Sequence, residues 1–360
     1  MTNQENTNNA NSSSKFMSYF YKTVQPLTLS IEQMRQKYFN LFKIYAMVTI
    51  CFWIIWLFFY SHPIFLGNIT QENLVQIFVG SGFFFIFFIV TPFGFLKSIY
   101  SNTAKQAILP AILKYWGEFY YQPVFSFAFN SYKMIRYKKG LKWFWAEYTK
   151  ENKRSDISIS NYVLAKLLSF DNVAYDDKII GSFKGLRVEF CELETSYTTR
   201  DSKGNSSRHT TFDGVVFSAN LNKKFKGITA LSYEHLDKNR LAYAEHSDCK
   251  KHFEDVVLED PEFTKRFKMA STDQIEARYI FTTAFMERFM KVAQRYNYRV
   301  KAIFIDENVH ILIDTRGKNW FEFALNKPCT NFSSYQEFLT DFTGLLSIVD
   351  TLKLSEDAVL

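Results

Sequence analysis

Two long runs without a charged residue constrain this chain more than any other feature. The first covers residues 44–61 and the second covers residues 73–96. A helix needs roughly 20 apolar residues to cross the hydrocarbon core of a bilayer, and both runs reach that length. Core helices of a soluble protein are the alternative, but such helices rarely continue this far without a charge. The pattern therefore predicts two transmembrane helices, at about 44–60 and 74–96.

The charges around the two runs predict their orientation. The connecting segment, residues 61–73, is short and contains no Lys or Arg, so the helices should form an antiparallel hairpin. Basic residues flank the hairpin on both outer sides: Lys15, Lys22, Arg35, Lys37, Lys43, Lys97, Lys105 and Lys114. The positive-inside rule then places both chain termini in the cytoplasm and the connecting loop outside.

Composition limits the remaining possibilities. Hydrophobic residues make up 47% of the 360 residues and aromatic residues 18%, which excludes a disordered or collagen-like chain. Four cysteines without a C-x-x-C pair exclude a disulfide-stapled scaffold and a zinc ribbon. The segments that follow from this pattern are a disordered polar tail (1–26), an amphipathic lead-in against the membrane surface with the two spans (27–100), a juxtamembrane helical, basic-aromatic segment (101–160), a cytoplasmic domain (161–350) and a short tail (351–360).

Apolar alternation after residue 172 predicts antiparallel strands. Residues 186–190 and 212–219 flank a polar stretch with Gly204 and should form a long hairpin. A turn at Lys226-Gly227 precedes another strand, and residues 300–305 and 309–313 form a second hairpin pattern. Residues 320–325 are predicted as a further short strand. Together with the helices described next, these strands indicate an α+β domain of antiparallel β-hairpins with packed helices.

Two helices are predicted within this domain. The first begins with a capping box in which Ser271 precedes Gln274 by three residues. Its inward face is predicted from six residues at helical spacing: Ile275, Tyr279, Phe285, Phe289, Val292 and Tyr296. A closing helix over residues 334–346 should turn four residues inward: Tyr335, Phe338, Leu339 and Phe342.

Several of these stretches together resemble a known family. The matching motifs, in order, are Asp176-Asp177 to Gly181, Phe212–Phe217, Asn222–Gly227, Asp260–Phe263 with Phe267, Asp273–Tyr279 and Phe285–Arg288. The family is an uncharacterised bacterial one of two-span membrane proteins, the domain of unknown function numbered three-one-three-seven. The resemblance covers roughly residues 105–325 and implies a location in the bacterial inner membrane, but it transfers no catalytic residues. The family often has Thr-Pro where this chain has Thr282-Thr283, so the resemblance gives less support for a helix break there.

Few residues have the spacing of a chemical site. His246, Cys249 and His252 are metal-ligand types, but at i, i+3 and i+6 of a helix they would turn away from one another. A solvated helix or loop is therefore the preferred interpretation, and no metal or other cofactor is predicted. Common phosphate-loop, hydrolase and zinc-protease motifs are absent from the sequence. Asp273 and Glu276 could form a polar site, but stabilising the positive N-terminus of a helix is the favoured role.

The strongest binding candidate is a basic, Trp-bearing stretch over residues 131–154. Seven of its residues are predicted to contact lipid: Lys133, Arg136, Lys138, Lys139, Lys142, Trp143 and Trp145. Cations close to a cytoplasmic membrane exit are attracted to anionic lipid by about 1 kcal/mol each, and Trp suits the headgroup level. A solvated structural face is weighed equally. Nucleic acid is disfavoured, because a membrane tether makes lipid the nearer polyanion.

Two function hypotheses remain at this point. The first is a non-enzymatic binding or scaffold protein that presents its cytoplasmic domain at the membrane. Its partners would be membrane lipids, another protein, or a second copy through the transmembrane hairpin. The second is a membrane-tethered enzyme with an unrecognised active site that uses His246, His252, Asp273 or Glu276.

Overall fold

A computed structural model describes nine segments of the chain: residues 15–65, 79–84, 86–122, 134–139, 142–147, 159–221, 224–242, 252–320 and 322–357. Most of the predicted tail, most of the loop between the spans, the start of the second span, Lys133, His246 and Cys249 lie outside these segments. The chain forms two compact units. A helical unit contains residues 1–115 and 322–335, and a sheet unit contains residues 116–321 and 336–360.

Eight α-helices are named in the described residues, in chain order: α1 (Gln25–Phe65), α2 (Thr91–Leu113), α3 (Asn161–Leu167), α4 (Lys238–Leu241), α5 (Pro261–Arg266), α6 (Gln274–Ile280), α7 (Thr283–Arg295) and α8 (Ser333–Asp357). Short π-helical stretches precede α1 and α2, at Phe20–Val24 and Ile86–Val90.

Eleven strands are named in the same way: β1 (Phe119–Gln122), β2 (Met134–Lys139), β3 (Lys142–Glu147), β4 (Asn172–Phe183), β5 (Leu186–Arg200), β6 (Ser206–Asn220), β7 (Thr229–Ser232), β8 (Glu254–Asp255), β9 (Lys268–Ser271), β10 (Val300–Ile305) and β11 (Asn308–Asp314). Nine of them form one antiparallel sheet in the order β1-β4-β5-β6-β11-β10-β7-β9-β8, and β2 pairs with β3 separately. The predicted α+β class, with two long apolar helices at the N-terminal side, is confirmed.

The helical unit differs from the predicted segments near its start. Residues 15–24 are helical rather than part of a disordered tail, because Phe16, Phe20 and Val24 recur every four residues and are buried. The aromatic rings of Phe20 and Phe332 are in contact, with their centroids 5.2 Å apart. The amphipathic lead-in and the first span form one continuous helix, α1, with Ile31 buried inside the unit.

The apolar parts of the two long helices are exposed. Both helices have the length and composition to cross a membrane, and none of the residues in their most apolar 18-residue windows is buried. The side chains of Phe52 and Phe83 are 68% and 72% exposed. A core helix of a soluble protein would bury such residues, so the exposure is compatible with a membrane protein.

Strand alternation sends apolar residues to both faces of the large sheet. On one face Phe190 stacks on Phe342 of α8, with ring centroids 4.5 Å apart, and packs on Phe217 at 4.9 Å. On the other face Val216 and Leu312 join a buried cluster with residues of α3. Because helices cover both faces, the central strands are buried on both sides, as their nearly continuous burial indicates.

Several local predictions are confirmed by this topology. The hairpins β5–β6 and β10–β11 form as expected, and the closing helix buries its four predicted inward residues. Within the predicted strand 320–325, the described residues, 320 and 322–325, are not in a strand. Their backbone groups bind distant side chains instead, because Trp320 N donates to the Glu192 carboxylate and Leu325 O accepts from Arg35.

The predicted long helix from residue 274 is two helices. Thr282 caps α7 by accepting a hydrogen bond from Phe285 N, so a break occurs without the proline that the family often has. The N-cap of α6 is Asp273 rather than Ser271, because the Asp273 carboxylate accepts from the first backbone N–H groups. Ile275 and Tyr279, predicted to face inward, are exposed because the break rotates α6 relative to α7.

One glycine tests the central register. A Cβ added to Gly214 would lie 2.0 Å from the backbone oxygen of Ile313, so no side chain fits between β6 and β11 there. We expect Gly214→Ala to lower the free energy of unfolding by about 3 kcal/mol or more, because backbone cannot move aside as a side-chain end can. Urea unfolding of the full chain in detergent measures the effect.

Gly204→Ala in the β5–β6 turn is the matched control. Gly204 has a φ of +85° but no atom within 4 Å of an added Cβ. It should cost only about 1–2 kcal/mol, the penalty of the left-handed region for an L-residue. Equal effects of the two substitutions would contradict the close β6–β11 approach.

Candidate functional site

A cavity of about 260 Å³ lies where β4, β5 and β6 meet the loop that follows β11. Its walls carry four carboxylates and one amine together with small polar groups. The lining residues are Ala174, Tyr175, Asp176, Glu192, Leu193, Glu194, Asp213, Gly214, Thr315, Lys318 and Asn319. Typical small-molecule sites measure about 300–1,000 Å³, so this cavity is small for one.

The strand register brings the cavity carboxylates together. Glu192 and Glu194 are two residues apart on β5 and therefore share a face of the sheet. Asp213 on β6 pairs directly opposite Glu194. The carboxyl pKa of Asp213 is raised by burial and by the nearby negative charges of Glu194 and Asp314. The cavity therefore favours cationic over anionic ligands.

Three acidic residues at this site have the geometry of a hard-cation site. Ligand oxygens of Asp176, Asp177 and Glu192 all lie within 4.8 Å of one another, and Asp177 and Glu192 are buried. Protein groups already bind two of these carboxylates: Tyr121 Oη donates to Asp177 at 2.5 Å, and Trp320 N donates to Glu192 at 2.5 Å. Carboxylate oxygens suit Mg²⁺, Ca²⁺ or Mn²⁺.

A second polar group runs across the middle of the sheet. The register places Glu189 opposite Ser218, and Ser218 opposite His310, on three adjacent strands. Ser218 Oγ and His310 Nδ1 are 2.8 Å apart, and Lys178 Nζ is 3.0 Å from Glu189. Nucleophile, base and acid types are thus side by side. All three are at most 4% exposed, so a substrate cannot reach them in this conformation.

Burial sets the charge of His310. Removal from water disfavours the imidazolium ion and lowers the pKa of His310 from 6.5 to about 4. His310 is therefore neutral at pH 7 and holds its hydrogen bond to Ser218 without a charge. The neutral, enclosed Ser218–His310 pair is thus a structural contact of the sheet interior. Ser218 was not predicted from the sequence, because a serine within a strand has no distinctive pattern.

The predicted metal and polar residues occupy several places. His252 is exposed, with Nε2 3.7 Å from a carboxylate oxygen of Glu254, and the other two residues of its motif lie outside the described segments. Asp273 caps α6 through its carboxylate. Glu276 accepts hydrogen bonds from Lys226 N at 2.9 Å and Gly227 N at 2.8 Å. Both carboxylates therefore accept hydrogen bonds from backbone N–H groups and hold the local backbone in place.

The basic-aromatic segment contains the two-stranded β2–β3 hairpin. Its register pairs Arg136 with Trp145 and Lys138 with Trp143, and Lys139 pairs with Lys142 at the turn end. Six of the seven predicted lipid contacts thus lie on paired positions of a β-hairpin, and the seventh, Lys133, lies outside the described residues. The lipid role itself stays a prediction.

Comparisons with known proteins identify the family of the C-terminal part. Residues 210–354, from β6 into α8, match the family described as "Protein of unknown function (DUF3137)". The match spans 145 of the 360 residues, less than half of the chain. The predicted family is thereby confirmed, although the match begins and ends later than the predicted range of 105–325. The cavity draws on residues inside and outside the matched range, since β4 and β5 precede it.

Other comparisons add little. No curated protein matches the chain significantly. Among solved structures, the crystal structure of the mycobacterial trehalose monomycolate transport factor A, TtfA, is similar at 10% sequence identity and a TM-score of 0.26. That alignment covers 50% of this chain and 74% of the other. A similarity at this level does not establish a shared fold.

The buried histidine predicts a specific pH dependence of stability. Its pKa is about 4 in the folded chain against 6.5 unfolded, so between these values only the unfolded state binds the proton. The folded state should therefore lose stability as the pH falls from about 6.5 towards 4, by up to about 3 kcal/mol. His310→Asn should remove this component, measured by urea unfolding at pH 7 and pH 4.5.

His209→Asn serves as the control, because His209 is an exposed residue of the β5–β6 hairpin. The control should retain the pH dependence of the parent chain. A His310→Asn variant with the same pH dependence as the parent would show that the imidazole is not buried as described.

Proposed function

We propose that the chain is a two-pass membrane protein of the bacterial inner membrane that presents its sheet unit to the cytoplasm as a non-enzymatic binding or scaffold domain. The observation that carries the proposal is the exposed apolar surface of α1, of the segment leading into α2 and of the first turns of α2. Met47 and Phe95 are 63% and 67% exposed, and their neighbours are similar. In water such a surface would be strongly unfavourable, whereas a bilayer removes the cost.

Charge distribution supports the orientation. Basic residues precede the first apolar run and follow the second, and none lies between the runs. Under the positive-inside rule both termini and the sheet unit are cytoplasmic. Gly82 and Gly94 have no atom within 4 Å of an added Cβ, so a second helix pair could approach there closely. This supports self-association of the chain through the two apolar helices.

Lipid is the proposed partner of the β2–β3 hairpin. Four cations and one carboxylate lie within its two strands, and two of the cations pair in register with Trp residues. Cations suit the phosphate groups of an anionic bilayer, and Trp suits the headgroup level. The hairpin belongs to a chain that the proposal anchors in a bilayer, which favours lipid over a soluble polyanion.

A ligand-using or catalytic role is the alternative, and the cavity is the observation that favours it. Four carboxylates converge there, and Asp213 has a raised pKa. Perturbed carboxyls in a cavity are frequent in active sites. The Ser218–His310 pair does not line this cavity, so a nucleophile activated by a base is lacking among its described residues. Binding is therefore the better supported function.

Cysteine labelling tests the topology. The native cysteines are replaced by serine, and Asn68→Cys is introduced between the two apolar runs. A membrane-impermeant maleimide should label this cysteine in intact spheroplasts, because the loop lies outside. Lys203→Cys in the β5–β6 turn is the control and should be labelled only after permeabilisation. The reverse pattern would overturn the orientation, and carbonate extraction of the full chain would overturn membrane insertion.

Fluorescence tests lipid contact of the hairpin separately. An environment-sensitive dye is attached at Gly140→Cys between β2 and β3, and the full chain is placed in nanodiscs. The emission should shift to the blue in anionic lipid but not in neutral lipid, and less so at high salt, since exposed charges are screened over about 8 Å at physiological ionic strength.

Two variants complete the fluorescence test. Changing the five basic residues from Lys133 to Lys142 to Gln should abolish most of the shift, whereas Trp143→Ala with Trp145→Ala should leave a weaker, salt-sensitive shift. Identical emission in anionic and neutral lipid would remove lipid as the partner. That result would leave the topology untouched.

A further inference from the structure

A segment of the C-terminal region belongs to the helical unit. Residues 322–335 group with the N-terminal helices, although the residues before and after them belong to the sheet unit. We call residues 322–335 the clasp. Most of it is irregular, and α8 begins at its end, at Ser333. The clasp contacts both long apolar helices.

The contact with α1 is made by two buried charged side chains. Arg35 binds both carboxylate oxygens of Glu32, at 2.9 Å and 2.6 Å, in a bidentate ion pair within one helix. Each member of the ion pair also makes a hydrogen bond to the clasp backbone. Arg35 Nη1 donates to Leu325 O at 2.8 Å, and Glu32 Oε2 accepts from Cys329 N at 3.1 Å.

The contact with the second helix is also ionic. Glu322, at the first position of the clasp, lies 3.3 Å from Lys97 Nζ and 3.2 Å from Lys105 Nζ of α2. Lys105 is buried, so its interaction with Glu322 is screened less by salt than that of an exposed pair. One segment of 14 residues therefore bridges α1 and α2.

Aromatic packing and one internal hydrogen bond close the clasp. Tyr335 Oη donates to Cys329 O at 2.5 Å, and the rings of Tyr335 and Phe20 are 5.2 Å apart. The Cys329 side chain is 3% exposed, and burial raises its thiol pKa. Cys329 is thus protected as long as the clasp is closed.

We propose that the clasp is a conformational latch, which holds α1 and α2 together when closed and can open without unfolding the sheet unit. Since α8 starts inside the clasp, a change in the packing of the two helices reaches the C-terminal helix through this segment.

The form of the Glu32–Arg35 ion pair is compatible with reversible opening. Removing one member of a buried ion pair is strongly unfavourable, because the other charge stays buried alone. Glu32 and Arg35 are three residues apart on the same helix, so the pair persists when the clasp leaves. For Glu32 and Arg35, opening therefore exposes a neutralised pair to water and breaks its two hydrogen bonds to the clasp backbone together with the 3.6 Å contact of Cys329 Sγ with Glu32.

Two buried thiols provide the test. In the full chain in detergent, Cys51 and Cys249 are replaced by serine, which leaves Cys329 in the clasp and Cys191 in the sheet, both buried. The rates at which a maleimide labels the two thiols are followed by peptide mass spectrometry. Arg35→Gln should speed the labelling of Cys329 at least about tenfold, because it removes the donor to Leu325 and unbalances a buried charge.

The other rates separate latch opening from unfolding. Labelling of Cys191 should stay unchanged in Arg35→Gln. Lys37→Gln, at an exposed position on the same helix, is the matched control and should change neither rate. An unchanged Cys329 rate in Arg35→Gln would overturn the proposal. An equal rise in both rates would also overturn it, because the clasp would then open only with global unfolding.

A distance measurement tests the bridging role. Spin labels at Val48 on α1 and Phe95 on α2, both exposed, report the separation of the helices by pulsed electron resonance. Arg35→Gln and Glu322→Gln should each broaden the distance distribution, whereas Lys37→Gln should not. Unchanged distributions in both clasp variants would show that the clasp does not hold the helices together.

Discussion

The antiparallel register of β5, β6 and β11 is the constraint on which the sheet unit depends. It pairs Phe190 with Phe217 on one face, while the next residue pair, Glu189 and Ser218, faces the opposite side. A slip of one residue would exchange the aromatic and polar rows. The aromatic row receives α8 through Phe342, and the polar row stays inside the sheet as a hydrogen-bonded set. Cavity, helix packing and buried histidine all follow from this one alignment.

In the helical unit, the kind of residue that is buried changes along the single helix α1. Near its start α1 buries charged residues, since Glu32 and Arg35 are each 8% exposed. Further along, it exposes apolar residues such as Val48 and Phe52. Water alone cannot favour both patterns, because it would expose the charges and bury the rings. A helix that packs against protein at its start and lies in lipid further along would have both burial patterns. The buried contacts with the clasp and the exposed apolar run would then result from one change of environment along α1.

Periodic features of the sequence predicted the fold better than they predicted the site. Uncharged runs and alternating strands depend on local pattern, so the long helices and the β10–β11 hairpin could be found without the structure. The helix break at Thr282 was harder to place, because threonine caps a helix only when its neighbours leave the helical conformation. Ile275 was placed wrongly for the same reason: one continuous period was assumed across that break.

Long-range backbone recognition explains the remaining errors. Residues 320–325 alternate like a strand, but Trp320 N and Leu325 O bind Glu192 and Arg35 in distant parts of the sequence. No local pattern records a backbone group that is satisfied by a side chain more than a hundred residues away. The cavity carboxylates have the same origin, since β4, β5 and β6 bring them together only once the register is set.

The same alternation separates the two chemically interesting groups of the sheet unit. Glu192 of the cavity and Glu189 of the polar row are three residues apart on β5, so they point to opposite faces. The cavity therefore has carboxylates and the amine of Lys318, whereas the hydroxyl and imidazole of Ser218 and His310 lie across the sheet. Acid–base catalysis with an activated nucleophile needs these groups within hydrogen-bond reach of one substrate. The sheet holds them on opposite faces, so the cavity carboxylates and the Ser218–His310 pair cannot act together on one substrate.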